Sequence, residues 1–175
     1  MFITVSRGGY PKVIRFAKIL EKIIPNLKYI PRGKTSLKDL FFKSIYNGYN
    51  YFVIASSNGQ VINLLFYLRK ENSYYAFKEI SLEPLEINFN FKASDKKRLL
   101  KKKFEFIDVE KLFSFLKIEK PLAEDLDSNL TNEENLILDN YFVLKKENLE
   151  NNIFAFYFNN KYVGCKFKLI NVKDF

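Results

Sequence analysis

Within its first 24 residues the chain runs through a strand, a glycine turn and a helix, and no other feature restricts its fold as much. Phe2-Ile3-Thr4-Val5 is an apolar, strand-like run, Ser6-Arg7-Gly8-Gly9-Tyr10 is a loop, and Pro11 sits where a helix start tolerates a missing N–H. At 100° per residue, Val13, Phe16, Ala17, Leu20, Ile23 and Ile24 share one face of a helix that stops before Pro25. Arg15, Lys18 and Lys22 share another, with Lys12 at its margin. The unit then recurs. Tyr29-Ile30 reads as a brief strand, Pro31-Arg32-Gly33-Lys34 as a basic turn, and Ser36 with Asp39 three residues on as the start of a helix. That second helix runs to about Asn47 and ends at Gly48.

The rest of the chain is richer in strands. Tyr51 to Ser56 and Val61 to Leu68 flank Asn58-Gly59, the strongest hairpin signal in the sequence. Tyr74 to Leu82 predicts another strand. In Glu86 to Lys92, Ile87, Phe89 and Phe91 alternate with Glu86, Asn88, Asn90 and Lys92, which predicts a strand with one wet face. Asp108 caps a helix through about Lys117, with Val109, Leu112, Phe113 and Leu116 on one side, and 121–134 is an acidic linker. Three strands close the chain: Tyr141 to Lys145, Ile153 to Phe158 and Tyr162 to Ile170, the last two joined at Asn159-Asn160. In the last, Cys165 alternates with lysines and points to the core as a small apolar side chain. The fold class is therefore α/β with a mixed sheet, and 175 residues suit a single domain.

Composition removes several chemistries. The chain has no His and one Cys, so His-based acid–base catalysis, Ser-His-Asp triads, Cys-His dyads, Cys/His zinc sites and intrachain disulfides have no residues to build them. No paired-carboxylate motif or cofactor loop stands out, so we expect no catalytic residue, no metal and no cofactor. The longest apolar run, Ile153 to Phe158, is far below the ~20 residues of a spanning helix. Ser6 and Arg7 interrupt any signal-peptide core. The expectation is a cytoplasmic protein.

Charge supplies the first positive clue. The net charge is +9, and residues 1–50 hold ten basic residues against two acidic ones. Residues 104–175 are acidic, with thirteen carboxylates against nine lysines. A polyanion suits the basic part, although a solvated basic face or an anionic membrane would give the same count. Three of the five Arg (Arg7, Arg15, Arg32) fall within the first 32 residues, where a planar fork can hold phosphate bidentately. The candidate RNA-binding residues are Ser6 and Arg7 in the first turn, Arg32, Gly33 and Lys34 in the second, and the ridge Lys12, Arg15, Lys18 and Lys22. A further cluster is Lys96, Lys97, Arg98, Lys101, Lys102 and Lys103. In an α/β fold the two turns lie at one edge of the sheet. Tyr10, inside the first loop, is placed to stack on a base.

These residues resemble a known family. Ile3-Thr4-Val5-Ser6-Arg7 is similar to the N-terminal (I)TTSR signature of the Brix domain. Tyr29-Ile30-Pro31-Arg32-Gly33-Lys34-Thr35-Ser36-Leu37 is similar to its y-x-x-RGK-x-S-L block, and Tyr51 to Ala55 with Leu64 to Tyr67 to its third block. The chain departs from the first signature at Val5 and at Gly9-Tyr10. The resemblance covers residues 1–70 and implies two α/β halves, about 1–82 and 83–175. Each half would resemble the anticodon-binding domain of class IIa aminoacyl-tRNA synthetases. It implies a non-enzymatic factor that binds pre-ribosomal RNA in ribosome biogenesis, with roles carried over for Ser6, Arg7, Arg32, Gly33 and Lys34 alone. Ribosomal proteins or other assembly factors are the expected protein partners. An RNA-processing or RNA-modifying enzyme and a protein-interaction scaffold with an incidental basic face remain the alternatives.

Overall fold

The computed structural model describes residues 1–24, 27–71, 73–88, 103–107, 141–148, 150–158 and 161–175. The early βα units form as their patterns predict. β1 (Phe2–Val5) leads to α1 (Pro11–Ile23), β2 (Lys28–Tyr29), α2 (Leu37–Tyr46) and β3 (Tyr51–Asn58). β2 begins one residue before the expected Tyr29-Ile30, but the Ile30 N–H still donates to the Ile3 carbonyl at 2.9 Å. β1 lies between β2 and β3 and is parallel to both. The first crossover runs from β1 to β2 and the second back past β1 to β3, in opposite directions, and right-handed connections then place their helices on opposite faces.

Side-chain alternation along β1 serves both helices. Ile3 and Val5 join Val13, Phe16, Ala17, Leu20 and Ile23 of α1 in one core cluster. Phe2, on the other face, joins Leu40 of α2 with Phe52, Ile54 and Tyr74. This second cluster is aromatic. Phe52 stacks on Phe2 (centroids 5.2 Å, 9° between planes) and on Tyr67 (4.6 Å, 0°), and meets Tyr74 edge-on. The Tyr74 hydroxyl donates to the Tyr49 carbonyl and lies 2.7 Å from buried Ser44 Oγ, so these two hydroxyls are matched inside the cluster.

The helix ends follow their local chemistry. Ser36 and Asp39 form a complete capping box, each side chain accepting from the other's backbone N–H. The Ser36 hydroxyl also donates to Asp39, and these bonds hold the Asp39 carboxyl below its usual range. Its contribution is therefore present above the ordinary carboxyl pKa and lost as acid protonates the folded group. Ser36→Ala is expected to lower the melting temperature by about 2–4 °C at neutral pH, read by circular dichroism.

β4 (Val61–Lys70) returns antiparallel to β3 with Asn58 opposite Val61. The two loop residues are therefore Gly59-Gln60, one position later than the Asn58-Gly59 signal suggests. Gly59, with φ of 60°, holds the first central position, which a hairpin turn of the II′ kind assigns to glycine. The strands expected at 74–82 and 86–92 are joined in one element, β5 (Ser73–Ile87). Pro84, which cannot donate to a ladder, sits where the pairing with the last strand shifts register between Pro84 and Glu86. Phe89 and Phe91, the helix expected at 108–117 and the acidic 121–134 segment lie outside the described residues.

The remaining strands are β6 (Lys103–Ile107), β7 (Tyr141–Asn148), β8 (Ile153–Phe158) and β9 (Lys161–Asp174). Among the described residues, nine strands form one mixed sheet in the order β2-β1-β3-β4-β5-β9-β8-β7-β6. The pairing of β6, β7, β8 and β9 (parallel, antiparallel, antiparallel) repeats that of β1, β3, β4 and β5. β5 and β9 join the two series. Phe16 of α1 meets Phe167 of β9 edge-on at 6.4 Å, so the main core runs across the join. Cys165 faces this core, fully buried, and burial pushes its thiol up to about 12. A thiol-specific reagent at pH 8 is expected to leave Cys165 unmodified in the native protein and to label it fully in urea. Rapid native labelling would place it at the surface.

Candidate nucleic-acid interface

The C-terminal ends of β1, β2 and β3 lie at one edge of the sheet, because the three strands are parallel. The 6–10 loop leaves β1 toward α1 on one face, and the 30–36 loop leaves β2 toward α2 on the other. Loops that part in this way open a crevice at the strand ends, the usual ligand position in open α/β sheets. The first loop is pinned from below. The Ser6 N–H donates to the Ala55 carbonyl at 2.8 Å and the Gly9 N–H to Ser6 at 3.0 Å. A Cβ at position 9 would stand 2.0 Å from Val5 Cγ1, so glycine is what lets the chain turn this closely.

Both expected turns meet across the crevice. Arg7 Nη2 donates to the Lys34 carbonyl at 3.1 Å, linking positions 27 residues apart. Arg32 Nε donates to the Thr35 carbonyl at 3.1 Å. Each guanidinium thus uses an N–H on a neutral carbonyl and keeps the rest of its fork for a ligand. Among the described residues neither is paired with a carboxylate. Arg32 also lies close enough to Tyr67 to oppose the upward shift that burial gives that phenol. Gly33 and Lys34 are exposed at the tip of the second loop.

The two helix starts differ. At α2, Asp39 and Ser36 already satisfy the first turn. At α1, Tyr10 supplies no side-chain cap and the first turn has no acid, while Lys12 and Arg15 follow directly. A positive helix end beside added cations favours an anion. Tyr10 itself is 64% exposed, in the loop between Arg7 and Lys12.

In the α1 ridge, Lys12 and Arg15 meet neutral partners. Lys12 Nζ donates to the Gln60 carbonyl at the β3–β4 hairpin tip, 3.4 Å away. Arg15 Nη2 donates to Asn88 Oδ1 at 3.1 Å, beyond the end of β5. Between them lies a groove lined by Pro11, Lys12, Arg15, Pro84, Leu85 and Ile87. Lys18 Nζ stands 5.8 Å over the Tyr29 ring. Lys22 is ten residues from Lys12, about 15 Å farther along the axis, so the ridge leads away from the crevice down the outside of α1. Of the last cluster, Lys96, Lys97, Arg98, Lys101 and Lys102 lie outside the described residues, and for Lys103 the backbone of β6 is described.

Sequence reading did not single out Gln60 and Asn88, since nothing in a hairpin tip or an alternating polar face marks which residue will meet a cation. It also missed a second set of charged groups, on β5, β7, β8 and β9. Tyr162 donates to Glu86 at 2.6 Å, Lys166 pairs with Glu147 at 2.6 Å, and the Tyr157 hydroxyl donates to Glu147. Burial, reinforced by Glu147, pushes the Tyr157 phenol up to about 12. Glu86 is engaged from the adjacent β9, and Glu147 from the adjacent β8 and from β9 beyond it, so this set clamps the sheet.

Comparison with solved structures shows the same fold in a probable ribosomal biogenesis protein from Aeropyrum pernix. It is 17% identical over 96% of this chain and 93% of that one, with a TM-score of 0.61. Mil, an archaeal Imp4-like protein, also has it, at 16% identity with both chains fully covered and a TM-score of 0.58. No family model and no curated protein matches the sequence.

Proposed function

We propose that the chain is a non-enzymatic assembly factor that binds pre-ribosomal RNA during ribosome biogenesis. The observation that carries this reading is the Arg7–Lys34 link, which draws two basic turns into one crevice at the sheet edge. Ser6, Arg7, Arg32, Gly33 and Lys34 take backbone phosphates there. Lys12 and Arg15 extend the contact onto α1, and Lys18 and Lys22 follow the ridge. The clusters 96–98 and 101–103 add to the footprint. The two structural neighbours, a probable ribosomal biogenesis protein and an Imp4-like protein, agree with an assembly role. We read the repeated strand pairing as two halves, about 1–82 and 83–175; that each is of the anticodon-binding type rests on the family resemblance alone. Ribosomal proteins or other assembly factors meet the acidic C-terminal part.

Crosslinking in cells, followed by sequencing of the attached RNA, tests the proposal. Ribosomal RNA precursors should dominate, and the crosslinked peptides should contain Arg7–Tyr10 or Arg32–Thr35. Attached RNA that merely mirrors the cellular pool would overturn the ribosomal assignment. Magnesium-dependent cleavage of ribosomal RNA by the purified protein would replace it with an enzyme.

A further inference from the structure

We infer that the outer face of α2 is a stacking platform for unpaired bases of the RNA, an inference that rests on the RNA-binding reading above. α2 is amphipathic, and its inner positions are accounted for. Leu40 and Ser44 are buried, and Leu37, Phe41 and Ile45 pack against the same cluster. Aromatic residues nevertheless recur on the opposite side. Phe42 is 60% exposed and Tyr46 92% exposed, one turn apart. Core packing explains neither, and one turn apart on the polar face the two rings form a local aromatic patch rather than a single exposed side chain.

Their surroundings favour a nucleic acid over a protein. Lys38 stands one turn above Phe42, with its Nζ 5.9 Å from the ring centroid, and Lys43 is exposed beside it. The acid on this face, Asp39, is held in the capping box by Ser36. The face is also continuous with the crevice. Lys34 is at the crevice lip, α2 begins three residues later, and Lys38, Phe42 and Tyr46 then descend at i, i+4 and i+8. Rings one turn apart are separated by about 6 Å along the axis. That exceeds the ~3.4 Å rise between stacked bases, so each ring takes its own splayed base. Stacking of this kind tolerates any base, because every base offers a π-face. Phosphates held by Arg32 and Lys34 would thus deliver a single-stranded segment down α2.

The test compares a single-stranded oligoribonucleotide with a fully paired RNA duplex of the same length, using wild-type protein and the variants Phe42→Ala and Tyr46→Ala. Each substitution should weaken single-strand binding by about 5- to 150-fold, leave duplex binding within twofold, and leave the salt dependence unchanged. Both residues are exposed, and unchanged melting temperatures will show that the fold survives. Tyr46→Phe should keep affinity. Single-strand affinity that survives both alanine substitutions overturns the platform. So does an equal loss on both RNAs. Self-association of the wild-type chain that Tyr46→Ala abolishes, with RNA affinity intact, would assign the face to a second copy. If the wild-type protein binds neither RNA, the RNA-binding reading falls. If Arg32→Ala weakens binding and the ring variants do not, the platform alone falls.

Discussion

Phe52→Ala is expected to remove about 3–5 kcal/mol of folding stability, measured by equilibrium urea unfolding. Phe52 is fully buried and lies at the centre of the aromatic cluster, face to face with both Phe2 and Tyr67. Phe41 and Tyr74 close the remaining sides at 5.4 and 5.0 Å. Truncation leaves a cavity walled by rings that are held on β1, β4, β5 and α2, and these cannot all move inward together. Domains of this size have about 5–15 kcal/mol in total, so the variant should be marginal at 37 °C. Tyr46→Ala, at an exposed site, should stay within about 0.5 kcal/mol of wild type. A loss below about 1 kcal/mol for Phe52→Ala would mean that α2 is not seated on this stack, and the second wall of the crevice would lose its support.

Replacing Arg7, Arg32 and Lys34 together by alanine should flatten the dependence of RNA affinity on salt. Each phosphate contact contributes about 0.7–0.9 to the slope of log affinity against log salt concentration. Three contacts account for about 2.1–2.7, equivalent to a loss of about 20- to 40-fold in affinity between 50 and 200 mM salt. The expected outcome is that the triple variant binds more weakly at low salt but converges on wild type as salt rises. All three side chains reach solvent or lie at its edge, so folding should be little affected. Arg7→Ala alone carries an added effect, because the bond to the Lys34 carbonyl also holds the two loops together. Arg7→Lys, which keeps the charge but not the fork, should therefore recover part of the slope and less of the affinity. Parallel salt curves for wild type and triple variant would remove the crevice from the contact.

Much of this architecture was readable from local chemistry. The α1 face from Val13 to Ile24, the Ser36–Asp39 box and the burial of Cys165 each follow from periodicity or capping rules that act within a few residues. The hairpin was readable in place but not in register. Asn58 and Gly59 both suit the centre of a tight turn, and the pairing of β3 with β4 along its full length selects Gly59-Gln60. The continuity of β5 was hidden for a related reason. Pro84 reads as a strand break, and a register shift opposite β9 lets it remain inside the strand.

For function, the sequence by itself determined which groups exist: a chain without histidine, with one arginine in each of two glycine turns, and with a helix basic on one side. These are properties of composition and short spacing. Tertiary structure alone decided that the turns meet, because parallel pairing of β2 and β3 on either side of β1 sends α1 and α2 to opposite faces and brings positions 7 and 34 within a hydrogen bond. It also decided that Lys12 and Arg15 meet neutral partners on distant elements, and that Phe42 and Tyr46 stay in water while Phe41 goes to the core. Which atoms come together across 27 or 73 residues is set by how strands pair and helices pack, and no local pattern encodes that.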